Sequence, residues 1–90
     1  MILTRLERET LLAIYKFVKE QNSRGIATPD PPSVRELMPM VKVLSTSSIN
    51  YRIDKLFKMG LVAAQDHTNG RVTRLTYVGY NLAKELITGE

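Results

Sequence analysis

The ninety-residue sequence contains no cysteine and only one histidine, and both shortages limit its chemistry. Without cysteine there is neither a disulfide framework nor a thiolate metal site. His67 alone has no partner residues for a zinc site or for a nucleophilic triad. A glycine-rich phosphate loop is missing as well. We therefore expect no metal, no cofactor and no enzymatic activity.

Long hydrophobic runs are also missing. No apolar stretch approaches the roughly 20 residues needed to cross a bilayer. The N-terminus, MILTRLERE, has acidic residues where a signal peptide would have its apolar segment. These features predict a cytoplasmic protein with no membrane partner. With 43% hydrophobic residues, the chain has enough apolar side chains for one domain over 1–90 with a single core.

Positive charge is concentrated in one part of the chain. The formal net charge is +4, and residues 41–75 carry an excess of the same size, six basic against two acidic side chains. The basic residues are Lys42, Arg52, Lys55, Lys58, Arg71 and Arg74. Clustered cations attract phosphate, so this placement favours a nucleic-acid partner over an ordinary solvated surface.

Two capping boxes predict the first two helices. Residues 4–7 (TRLE) open a helix from about Arg5 to Ser23, and residues 33–36 (SVRE) open a short second helix. Inside a helix, Pro39 removes one hydrogen bond and costs about 3 kcal/mol. We therefore expect the second helix to kink or end near Met38.

The third predicted helix, about 46–59, is capped by Ser45 or Thr46 and ends at Gly60. Its buried stripe is Ile49, Ile53 and Leu56, supported by Phe57. Side chains directed away from that stripe are Ser47, Tyr51, Asp54 and Lys58. Ser48, Arg52 and Lys55 lie on one flank, and Asn50 lies on the other. The third helix is therefore expected to have one apolar side in the core and one polar side exposed to solvent.

A β-hairpin and a last helix follow. Strands over 61–66 and 71–75 are joined through residues 67–70, where Asn69-Gly70 favours a type I′ turn. Thr76 caps a final helix of roughly Tyr77 to Thr88. One face of that helix carries Val78, Leu82 and Leu86.

These elements predict an α+β, mainly α, winged helix-turn-helix domain. It has a three-helix core, a two-stranded β-wing and a C-terminal helix. In such a domain the recognition helix (about 46–59) enters the major groove, and the wing (61–75) lies on the adjacent backbone or minor groove.

The order and spacing of these motifs resemble the DNA-binding domain of the LexA repressor family. Leu3-Thr4 matches the opening of its first helix, and PPSVREL (31–37) matches the segment that opens its second. LFKMGL (56–61) matches the end of its recognition helix. The connector before Pro31 is longer, and Lys42 stands where that family usually has a glycine. Because ninety residues end before a self-cleaving protease domain, we expect a different regulator from a complete damage-response repressor.

The C-terminal segment instead resembles the Leu-Thr-x-x-Gly-x-x-Leu pattern of MarR-type winged-helix regulators, here residues 75–82. In those proteins the segment leads into a last, often dimerising, helix. We expect a homodimer through Val78, Leu82 and Leu86, because one small module buries too little DNA for tight discrimination.

The LexA resemblance implies DNA contacts early in the recognition helix, at Ser45, Ser47, Ser48, Asn50 and Tyr51. Their chemistry agrees, since Asn pairs with adenine and hydroxyl groups contact bases or phosphate. Thr46, Arg52, Lys55, Arg71 and Arg74 complete the predicted site. The alternatives are a helix-capping cluster for the serines and edge-strand protection for the wing arginines.

Together the patterns predict a small transcriptional regulator, a repressor, that binds specific double-stranded DNA. A winged helix used only for protein assembly is the alternative, and an enzyme is a third class. The patterns name no operator, regulated gene or effector.

Overall fold

The computed structural model describes residues 3–25, 32–41, 46–67 and 70–89. Four helices and one two-stranded antiparallel sheet occupy these ranges, which is the predicted fold class. In chain order they are α1 (Arg5–Ser23), α2 (Val34–Val41), α3 (Thr46–Lys58), β1 (Val62–His67), β2 (Gly70–Leu75) and α4 (Tyr77–Thr88). In the described ranges, no helix combines the length and apolar character needed to span a bilayer.

Both capping boxes form as predicted. The Thr4 hydroxyl accepts from the backbone amide of Glu7 at 3.2 Å, and the Glu7 carboxylate accepts from the amide of Thr4 at 2.8 Å. Ser33 and Glu36 make the same reciprocal pair at 3.2 and 3.1 Å. Each box satisfies amides that have no partner inside the helix, so α1 and α2 begin where the sequence predicts.

The prediction that α2 ends near Met38 is wrong, whereas a kink at Pro39 stays a prediction. The helix continues through Pro39 to Val41. Pro39 is exposed and removes one hydrogen bond, whereas the added turn places Val41 in the core. Burial of an apolar side chain therefore offsets the missing bond. Residues 42–45, which follow the helix, lie outside the described ranges.

The core lies where α1, α2 and α3 meet. Leu11 and Ile14 of α1, Leu37 of α2, and Ile53 of α3 are completely buried. Ile49 and Leu56 are equally buried, which confirms the predicted stripe of α3. Phe57, predicted to support this stripe, is instead 55% exposed, so that part of the prediction is wrong.

Helix α3 ends in a Schellman motif. The amide of Leu61 donates to the carbonyl of Leu56 at 3.0 Å, and the amide of Gly60 donates to the carbonyl of Phe57 at 3.0 Å. Gly60 has φ of 77°, a left-handed conformation that a glycine adopts without steric cost. Helix α3 therefore ends at Lys58, and β1 begins shortly afterwards at Val62.

The β-wing pairs β1 with β2 in the register Val62↔Leu75 to His67↔Gly70. This register differs from the prediction, because Gly70 lies within β2 rather than at the centre of the turn. The two connecting residues, 68 and 69, lie outside the described ranges. Within β2 the wing is tied to the residues just before α2, since the amide of Thr73 donates to the carbonyl of Pro32 at 3.0 Å. Ser33 and Val72 form an isolated bridge beside that bond.

Helix α4 has the predicted bounds, and its start packs tightly on the end of α3. Thr76 is the N-cap, and its hydroxyl accepts from the amide of Gly79 at 3.0 Å and donates to the carbonyl of Gly60 at 2.7 Å. The amide of Thr76 donates to the carbonyl of Leu61 at 3.1 Å. A Cβ on Gly79 would overlap that same carbonyl group. We call Gly60, Leu61, Thr76 and Gly79 the α3–α4 corner.

Candidate nucleic-acid interface

The exposed face of α3 is polar, as its periodicity predicts. With Ile49, Ile53 and Leu56 in the core, the opposite side presents Ser47, Tyr51, Asp54 and Lys58 to solvent. We call these four residues, with the adjoining Ser48 and Lys55, the outward face of α3.

Tyr51 is the largest side chain on the outward face and is 64% exposed. The Lys55 ammonium lies over its ring, with Nζ 5.3 Å from the ring centroid. One helical turn separates the two residues, so the cation and the aromatic ring are neighbours on the helix surface. The pair presents a ring, a hydroxyl and a positive charge at one place. Such a group can stack on a sugar or base and also attract phosphate.

The start of α3 contributes short polar side chains. Ser47 and Ser48 are exposed in the first turn, and Asn50 is half-buried. Ser47 and Asn50 each have an interaction within the protein. Ser45 lies outside the described ranges, and the backbone of Thr46 begins the helix. A helix N-terminus lined with hydroxyl groups favours an anion, because its first amides and its dipole point toward the ligand.

Arg52 lies on the predicted flank of α3, beside Ser48 and Lys55, but it is buried. Instead of extending from an open flank, it is only 8% exposed. Its Nη1 atom is buried and has no hydrogen-bond partner in the described part of the chain. The residue lines a groove between α3 and the start of α1. Helical periodicity located Arg52 beside the stripe but did not show that α1 covers that flank.

The wing contributes the remaining predicted cations. Arg74 is exposed on β2, opposite Ala63 in the register. Arg71 pairs in register with Asp66, one position from the last pair of the hairpin. This backbone position places Arg71 near the tip of the wing, the part of such a hairpin that reaches furthest from the core.

A different set of exposed side chains lies on α4. Val78 and Tyr77 are exposed, whereas Leu82 and Leu86 pack partly against the core. Leu61, Val78 and Leu82 contribute to a shallow groove along this helix. The predicted dimerisation residues therefore divide into one exposed side chain and two that also support the fold.

Lys19 joins α1 to α4 through two aromatic rings. Its Nζ lies 5.8 Å from the ring centroid of Tyr15 and 5.9 Å from that of Tyr80. The two rings are 5.3 Å apart and tilted by 53°. Interaction with Tyr80, and then with Tyr15, raises the pKa of Lys19 above 10.5. This cluster holds two helices together and is separate from the outward face of α3.

A three-helix core followed by a two-stranded wing and a fourth helix defines a winged-helix domain. A solved structure of a candidate DNA-binding protein from Ralstonia eutropha JMP134, determined at 1.70 Å, has the same fold. Its TM-score is 0.72 at 23% sequence identity, over 94% of this chain and 98% of that one.

The sequence is also similar to the LexA repressor of Clostridium novyi (strain NT). The two are 37% identical over 73 residues, which is 81% of this chain and 34% of the repressor. The predicted resemblance to the LexA repressor is thereby confirmed, and the chain spans about a third of that relative's length. No family model matches the chain. The likeness of residues 75–82 to MarR-type regulators stays a prediction.

Proposed function

We propose that this protein is a transcriptional regulator, a repressor, that binds specific double-stranded DNA. The observation that carries the proposal is the outward face of α3. A helix that needs only one apolar stripe for folding exposes hydroxyl groups, Tyr51 and Lys55 on the opposite side. These groups contribute little to the core, and their chemistry matches base edges, sugars and phosphates. Similarity to the LexA repressor and to a candidate DNA-binding protein supports the same function.

In this proposal α3 lies in the major groove and the wing lies on the neighbouring backbone or in the minor groove. Ser45, Thr46, Ser47, Ser48, Asn50 and Tyr51 supply base or phosphate contacts from the helix. Lys55, Arg71 and Arg74 supply positive charge, which strengthens binding to any sequence and orients the domain. Arg52 is buried and does not belong to this exposed set.

The decisive experiment is selection of duplexes from a random DNA pool, followed by affinity measurements on the selected site at several salt concentrations. If about three cations neutralise phosphates, log K falls against log salt with a slope near −3 for each protomer. A selected consensus and a steep slope support sequence-specific binding. Retention of no sequence, with a flat salt response, points to the protein-assembly alternative.

We further propose that two copies pair through α4. Val78 is 56% exposed and Tyr77 84%, and the groove beside them is apolar. Pairing doubles the DNA contacts, with half-sites about one helical turn apart. Light scattering of Val78→Asp at micromolar concentration tests this, with Lys84→Asp as a control at an exposed position on the same helix. Wild-type protein that is monomeric both alone and on DNA contradicts the pairing.

A further inference from the structure

A groove of about 330 Å³ separates the start of α1 from the flank of α3. Leu6 and Glu7 line it from α1, and Ser48, Arg52 and Lys55 line it from α3. The groove adjoins the outward face of α3, because Ser48 and Lys55 belong to both. A molecule in contact with that face therefore has direct access to the groove.

Arg52 is the unusual residue of this groove. It is more than nine-tenths buried, yet Nη1 has no hydrogen-bond partner among the described residues. A guanidinium is always charged and carries five donors, so burying it without acceptors costs free energy. The acidic group in the lining is Glu7, whose Oε1 accepts from the amide of Thr4 at 2.8 Å. Nη1 of Arg52 therefore has no acceptor within the described part of the chain.

The charges of the groove match a single monoanion. Arg52 and Lys55 bring two positive charges, and Glu7 brings one negative charge. One positive charge is left over, and a phosphodiester carries one negative charge. The N-terminus of α1 lies at the same place and adds the positive end of its dipole. The Ser48 hydroxyl can donate a further hydrogen bond.

We propose that this groove is an oxyanion site, occupied by one backbone phosphate of bound DNA, with Arg52 as its buried cation. The proposal rests on the DNA binding proposed above and adds a contact on the α1 side of the recognition helix. A helix that places Tyr51 against bases has a phosphate backbone alongside it, and this groove opens on that side. A small carboxylate is the other possible source of an oxyanion.

The first test replaces Arg52 with Met, which keeps the length of the side chain but removes the charge. In Arg52→Met we expect roughly 10- to 100-fold weaker binding to the selected duplex, since hydrogen bonds to charged groups are among the stronger ones. The slope of log K against log salt should also become shallower by about 0.9. Arg24→Met is the matched control, because Arg24 is exposed at the far end of α1; its affinity and slope should stay at the wild-type values.

The second test needs no variant. Inorganic phosphate and acetate are added separately to the wild-type protein, with chloride at equal ionic strength as the reference. The amide of Ser48 and the Nε–H of Arg52 are followed by NMR. We expect phosphate to shift both signals in a saturable way and acetate to shift them less. Saturation by acetate alone overturns the proposal in favour of a carboxylate ligand.

The two proposals fail separately. If the wild-type protein binds a selected duplex, but Arg52→Met keeps its affinity and slope, the oxyanion site is wrong and DNA binding stands. If phosphate saturates the groove while no duplex is retained at low salt, the proposed function is wrong and the phosphate is not one of DNA. A folded Arg52→Met is expected, because removing a buried unpaired charge does not weaken the core.

Discussion

The α3–α4 corner and the outward face of α3 differ in how strongly the surrounding structure constrains their residues. At the α3–α4 corner, backbone meets backbone: the carbonyl of Leu61 accepts from Thr76 at 3.1 Å and leaves no room for a side chain at position 79. On the outward face, Ser47 and Tyr51 are exposed to solvent and lie outside the core. The corner determines whether the domain folds. Because the residues of the outward face lie outside the core, they can serve binding instead of folding.

The largest effect is expected at the corner. Gly79→Ala places a Cβ inside the carbonyl group of Leu61, so α4 must move away from α3. We expect a loss of roughly 3 kcal/mol in the free energy of unfolding, measured by urea denaturation. Asn81→Ala, half-buried on the same helix, is the control and should cost less than about 1 kcal/mol. Equal stability of the two variants would contradict the tight packing of this corner.

The next largest effect is expected on the DNA affinity of α3, with little change in stability. Tyr51→Ala should weaken binding to the selected duplex by about 1–3 kcal/mol and leave the thermal midpoint almost unchanged. Phe57→Ala is matched to it, since Phe57 is an aromatic residue on the same helix with similar exposure, 55% against 64%. We expect Phe57→Ala to bind as the wild type does. If both variants lose affinity equally, the outward face is not the specific contact.

A smaller effect is expected from the cap of α4. Thr76→Ala removes the hydroxyl that accepts from Gly79 and donates to Gly60, and it should cost about 1 kcal/mol of stability. Thr88→Ala makes the same change at the exposed end of the helix, where the hydroxyl only bonds the preceding turn. In thermal unfolding, the midpoint temperature of Thr76→Ala should be clearly lower than that of Thr88→Ala. The reverse order would argue against the corner as a stabilising contact.

The smallest effect is expected at Lys19. Because its pKa is raised in the folded protein, its contribution to stability is complete below the unfolded value of 10.5 and is lost as pH rises through the folded value. The stability difference between wild type and Lys19→Met should therefore be constant between about pH 6 and 9 and shrink above ~10.5. Denaturant midpoints at several pH values measure this difference. If the stability difference between wild type and Lys19→Met already changed near pH 7, the raised pKa of Lys19 would be contradicted.

Much of the fold could be predicted from the sequence, because its signals are local. The bounds Arg5–Ser23 and Tyr77–Thr88 agree with the predicted helices, since Thr4 and Thr76 each cap an amide only three residues away. Gly60 ends α3 for the same reason: the left-handed turn needs no distant partner. Caps and turns of this kind depend on short-range geometry that residue type specifies.

The predictions that failed depended on distant neighbours. Phe57 and Arg52 lie about 70° to either side of the stripe of α3, so helical periodicity treats them alike. The structure places α1 over the flank of Arg52 and leaves Phe57 exposed. Hydrophobicity alone favoured a buried Phe57 and an exposed Arg52.

The sequence by itself determined where the helices begin, where α1, α3 and α4 end, which side of α3 is apolar, and that the excess positive charge lies in residues 41–75. Residue type and spacing are sufficient for those features. Only the tertiary structure decided that α2 continues past Pro39, that Gly79 meets the backbone of Leu61, and that Arg52 is enclosed beside α1. These outcomes depend on which element covers which surface, and burial against a neighbour outweighs the local preference of a residue.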